Sequence, residues 1–214
     1  GDRVACGLQV RGTGLGLVDT RHLGSYRLTL TVRTGDEPDR RTSAATVLGG
    51  IAVRLGLISV PGNASVSIAR MEAGSGFGRV ATAGEMDIEI VAEDDRVLED
   101  LKAEVTRTVA GAAEGVKIEV DTLVRLRRSA GDPRRNAPLV EVHRQALAQV
   151  LVPSEEAAVS DKVSLLNERG VPALSVGITT EAGPDAVSLE PIASGFRQLL
   201  LVVEGSAAVT GGAE

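Results

Sequence analysis

Residues 170–191, GVPALSVGITTEAGPDAVSLEP, pose the chemical question. A continuous apolar run, 171–178, empties into a Gly/Pro loop and then into a helix. The carboxyl end of such a buried strand is where α/β enzymes place reactive groups. The loop brings Glu181, Asp185 and Glu190, three carboxylates that could hold a hard cation. It brings no His, no Cys and no Ser–His pair, so a polar surface loop is the plainer reading.

The remaining candidates are few. His22 and His143 are the only histidines, and structural roles, on the surface or partly buried, account for both. Cys6, on a short apolar segment, reads as a small core residue rather than a reactive thiol. RGTGLG, 11–16, looks like a piece of a phosphate-binding glycine loop. Such a loop needs a helix N-terminus after it, and here a strand pattern follows, so it reads as a turn. RLRRSAGDPRR packs five arginines into eleven residues. They could clamp a carboxylate or phosphate, but a solvated hinge explains the Gly, Pro and Arg content as well.

The elements that must position these residues follow from periodicity. SYRLTLTVRT (25–34) alternates, with Tyr26, Leu28, Leu30 and Val32 on one face. Val47, Leu48, Ile51, Leu55 and Ile58 fall at helical spacing over 44–57, after a cap at Thr42 or Ser43. Residues 64–72 and 85–93 alternate. A helix over 95–110, capped by Asp94 or Asp95, carries Val97, Leu98, Leu101, Val105 and Val109. Residues 116–126 alternate again. The order β-α-β-β-α-β is that of a ferredoxin-like unit. Around it lie a short strand (2–10), a linker (127–136), helices over 137–151 and 160–170, the strand 171–178 and a final helix over 191–209. These read as parts of a second, α/β domain.

Composition narrows the partners. Net charge is −6, so no basic field attracts nucleic acid. Trp is absent and Tyr26, Phe77 and Phe196 are the only aromatics, which removes stacking platforms for single strands. One cysteine excludes an internal disulfide. No unbroken apolar run approaches the roughly 18 residues of a membrane span. With no leader in view, a cytoplasmic protein is expected.

An α/β domain interrupted by a βαββαβ unit resembles the di-zinc exopeptidases and amidohydrolases, a family that includes peptidase T, carboxypeptidase G, aminoacylase and succinyl-diaminopimelate desuccinylase. RGTGLGLVDTRHLGSYRLTLTVR resembles the run into that family's lid, or dimerisation, domain. SDKVSLLNERGVPALSVG resembles its Ser-Asp-Ala-Asn…Gly-Ile-Pro segment, with Asp161 at the Asp and Val163 where Asn is usual. SLEPIASGFRQLLLVV resembles its C-terminal helix. The resemblance covers the second half of a family member and implies residues 23–129 as lid, with 1–22 and 130–214 as a partial peptidase-like domain.

The same resemblance implies what is missing. An acidic metal ligand before the lid is replaced by Arg11 in QVRG. A histidine ligand after the 171–178 strand is replaced by Val187 in DAVSLEP. Arg is permanently cationic and offers no free lone pair to a metal. No catalytic residue and no metal ligand is therefore assigned, and zinc is expected only in active members. Arg11, Asp161 and Arg79 are implied as ligand-binding residues of the old cleft; Asp161 can equally cap the helix after it. Three functions remain: a fragment or degenerate member without hydrolase activity, a stand-alone dimerising binding module, or half of a split enzyme completed by a partner chain. A homodimer through the lid is implied in each.

Overall fold

Periodicity decides most of the architecture. The computed structural model describes residues 4–35, 42–74, 76–113, 118–159, 163–183 and 186–210. The chain divides into two units, Gly1–Leu23 with Ser129–Glu214, and Gly24–Arg128. The first unit opens with β1 (Gly7–Thr13) and β2 (Leu17–His22).

The second unit comprises β3 (Gly24–Thr34), α1 (Ala44–Leu55), β4 (Ala64–Ala73), β5 (Ala83–Ala92), α2 (Asp95–Ala113) and β6 (Ile118–Arg128). Its antiparallel sheet has the order β4-β5-β3-β6, the ferredoxin-like arrangement. Leu28, Leu30, Met86, Ile88 and Ile90 on the inward face meet Leu48 and Ile51 of α1 and Leu98 and Leu101 of α2 in one core. The caps fall where short polar side chains precede the apolar stripes. The Ser43 hydroxyl accepts from the Thr46 N–H at 3.2 Å, and Asp94 accepts from Arg96 and Val97 N–H at 2.7 and 3.2 Å. Both save N–H groups that a helix start leaves without partners. The other face of the sheet is polar: Arg70 reaches Asp87 at 2.9 Å and Glu85 at 3.1 Å.

The first unit resumes with α3 (Pro133–Gln149), β7 (Glu155–Val159), α4 (Ser164–Glu168), β8 (Ala173–Thr179), β9 (Glu181–Gly183), β10 (Ala186–Val187) and α5 (Ile192–Thr210). β1 runs parallel to β8, and β2 parallel to β7. Leu139 and Ala146 of α3, Leu174 and Val176 of β8, and Val202 of α5 form its main core, with Val18, Val140 and Leu147 in a second cluster. The mixed α/β class with an inserted ferredoxin-like unit is thus the observed fold.

Several sequence expectations need correction here. The linker 127–136 is largely structured: Arg127 and Arg128 finish β6, and α3 begins at Pro133 behind its cap Asp132. β2 and β7 were not expected. The helix over 160–170 shortens to α4, whose N-cap is Val163 with no side-chain hydrogen bond. The cap expected from Asp161 lies outside the described residues. Finally, α5 is long and apolar enough, by length and composition, to cross a membrane. It nevertheless contains Arg197 and Glu204 and packs with Gly195, Gln198, Val202 and Ser206 buried.

Candidate functional site

The site builds up from the turn that joins β1 to β2. Gly14 and Gly16 take φ of +92° and +91°, a region that L residues with a Cβ rarely occupy. Gly177 of β8 lies under this turn; a Cβ there would come within 2.2 Å of the Gly14 carbonyl carbon. Leu15 N–H donates to Thr179 C=O at 2.9 Å and closes the contact. RGTGLG, expected to be a turn throughout, is the end of β1 over residues 11–13 followed by a turn over 14–16 that presses the ends of β1 and β8 together, and no helix follows it.

On this frame Arg11 stands at the register of Gly177. Its Nη2 donates to Asp19 Oδ1 at 3.1 Å, and the Ser175 N–H donates to Asp19 Oδ2 at 3.0 Å. Asp19 is 1% exposed. Both carboxylate oxygens are thus engaged from inside the unit, one by an arginine of β1 and one by the backbone of β8. Arg11 Nε is buried without a hydrogen-bond partner among the described residues. A charge pair of this kind ties three strands at one point, and removing either member strands the other.

His143 of α3 lies fully buried beside it. Gln198 of α5 donates its amide N–H to His143 Nε2 at 2.5 Å. Burial first, and repulsion from the Arg11 guanidinium second, push the His143 pKa down to about 4. The ring is neutral at pH 7 and accepts a hydrogen bond. Among the described residues it has no carboxylate to orient it as a base, and it has no water-accessible edge. His22, on β2, is also buried. Both histidines are buried more deeply than the expected surface or partly buried placement: both sit inside the first unit, and neither presents a lone pair to solvent.

Arg79 belongs to the second unit, exposed in the loop before β5, where Ser43, Gly74, Phe77, Arg79 and Ala81 border a recess of about 570 Å³. Phe77 is wholly exposed there. Asp161 lies outside the described residues, as does Asp185 of the acidic loop. Glu181 and Glu190 are exposed. Val187 pairs its backbone with Glu181 in the β9–β10 hairpin, and a valine offers a metal no donor. Among the described residues no group of three or more His, Cys, Asp or Glu could hold a metal ion. The arginine-rich run is divided: Arg125 Nε donates to Thr29 Oγ1 at 3.1 Å, Arg127 Nε to Tyr26 OH at 3.0 Å, and Arg134 Nε to Asp132 at 3.0 Å.

Sequence reasoning missed Asp19. The available signal was a single carboxylate following Leu17 and Val18 in a short β-prone run, eight residues after an arginine.

No family model matches the chain, and no curated protein matches its sequence. Solved structures do match its fold. The aminopeptidase PepT of Bacillus cereus superposes with a TM-score of 0.73 at 15% identity, over 95% of this chain and 57% of that one. A tripeptidase from Staphylococcus aureus gives 0.74 at 13% identity, over 95% and 57%. A hydantoinase/carbamoylase family amidase from Burkholderia ambifaria gives 0.65 at 18%, over 89% and 48%. The chain is similar to these peptidases and amidases in fold, and it spans about half the length of the solved structures it matches.

Proposed function

We propose that this chain is a peptidase- or amidohydrolase-like half: a lid-type unit with part of a catalytic-type unit, without hydrolase activity of its own. The observation that carries the reading is Arg11. It stands where the resemblance implies an acidic metal ligand, and its charge is held by Asp19 at 3.1 Å. Metal-assisted hydrolysis needs a cation to acidify a bound water and a base to take the proton. A guanidinium repels the first, and the buried neutral His143 cannot serve as the second. Zinc remains the cofactor expected of active relatives of this fold, and the residues described in this chain do not fit it.

The test is zinc and manganese titration by calorimetry, followed by assay of the metal-loaded chain on tripeptides and N-acyl amino acids. No stoichiometric binding and no turnover are expected. Turnover that scales with bound metal would overturn the reading.

The half-length match supports a second reading, in which another segment or a partner chain supplies the metal ligands. The intact mass of the protein in its own cells, and of whatever co-purifies with it, decides between the two.

A further inference from the structure

The outward side of α5 carries a pattern that the packing of its own unit does not use. Gly195, Gln198, Val202 and Ser206 face inward. On the other side, Phe196, Leu200 and Val203 are 51%, 65% and 49% exposed, and Ala207 is exposed too. Their spacing of four, three and four residues is the d-a-d-a seam of a two-helix coiled coil. Arg197 and Glu204 each follow a d residue, so both occupy e positions on one border of the seam. Neither makes an ion pair among the described residues.

We propose that this stripe is an interface between two copies of the chain, paired antiparallel about a two-fold axis through α5. The argument is self-complementarity. In an antiparallel pair each a residue meets a d residue of the other helix. Here that sets Phe196 against Ala207 and Leu200 against Val203, large side chains against smaller ones in four successive layers. Along the border, e positions face e positions, which brings Arg197 of each copy to Glu204 of the other, twice by symmetry. A parallel pair would align Phe196 with Phe196 and leave Arg197 opposite Ile192 and Glu204 opposite Leu199. Burial in a bilayer would place Arg197 and Glu204 in hydrocarbon at a cost of several kcal/mol. The inference does not depend on whether the chain hydrolyses anything, but it rests on the first reading above, in which no further segment covers α5.

The test is disulfide trapping in the full chain, on a Cys6→Ala background. Leu200→Cys and Val203→Cys, each at an exposed position, are oxidised separately and as a mixture, with circular dichroism to verify the fold. The mixture is expected to give several-fold more linked dimer than either variant alone, because position 200 meets position 203 only across the two-fold axis. Arg197→Glu or Glu204→Arg should each reduce this yield, and R197E/E204R together should restore it. Equal trapping in the separate samples, no trapping at all, or failure of the double reversal to restore the yield each overturns the proposal. So does loss of the mixed dimer on adding neutral phosphatidylcholine vesicles with the chain now bound to them, an outcome that assigns the stripe to lipid.

Discussion

At the scale of single residues, the Arg11–Asp19 pair makes the sharpest prediction. Asp19→Asn keeps an oxygen for the Ser175 N–H but leaves the Arg11 guanidinium without its counter-charge. The loss should be about 2–3 kcal/mol, below the ~3–5 kcal/mol of a fully buried broken pair, because the Arg11 side chain keeps 22% exposure. Urea unfolding followed by circular dichroism measures it, and R11M/D19N should recover part of the loss. His143 predicts a pH dependence. Its folded-state pKa is depressed from 6.5 to about 4, so in that window the unfolded chain binds a proton that the folded chain excludes. The stability involved is complete above pH 6.5 and falls as pH drops toward 4, by roughly 3 kcal/mol at most. His143→Gln, which keeps a partner for Gln198 and cannot titrate, should flatten that slope in denaturation curves taken from pH 7 to 4. The sequence showed Arg11 as an anomaly because a cation in QVRG breaks a resemblance. It could not show Asp19, because the value of a lone carboxylate depends on which strand's backbone lies beside it, here Ser175, far away in the chain.

At the scale of elements, legibility followed the local period. β3, α1, β4, β5, α2 and β6 were readable because each carries its own apolar face. β2 and β7 were not, since LVDTRH and EEAAV show no apolar–polar alternation and are strands only by pairing with each other. α3 was read as starting late because PRRNAP has a polar first turn; the signal was Asp132 ahead of Pro133, a cap followed by a proline where no N–H is needed. Close approach between elements makes a prediction from glycine. A Cβ on Gly195, at the start of α5, would lie 1.9 Å from the Ile178 carbonyl oxygen. Gly195→Ala must push α5 off β8 and should cost about 1–3 kcal/mol or more. Gly49 in α1 has nothing within 4 Å of its added Cβ, so Gly49→Ala should stabilise by about 0.5–1 kcal/mol through helix propensity. Thermal melts of the two variants should move in opposite directions. A shift of the same sign in both would mean that the packing of α5 on β8 is looser than described.

At the scale of the whole molecule, the division into two units is itself a stability prediction. The unit Gly24–Arg128 starts and ends on adjacent antiparallel strands, with Ser25 paired to Arg128. Arg127 bonds Tyr26 OH at 3.0 Å next to that junction, and Tyr26 OH donates to Glu99 of α2 at 2.7 Å. Its termini are therefore held together by its own structure, and its core is one continuous cluster between sheet and helices. The other unit has two smaller clusters among its described residues. Less apolar area buried means less driving force against the same entropy per ordered residue. Urea should accordingly unfold the chain in two steps, the unit containing α5 first. Residues 24–128 expressed alone should fold, and their midpoint should coincide with that of the second step in the full chain. Hydrogen exchange assigns the steps: amides of β3 and β5 should outlast those of β1 and β8. A single transition with uniform protection would mean that the two units stabilise each other, and the inserted unit would then have to be treated as part of one cooperative fold.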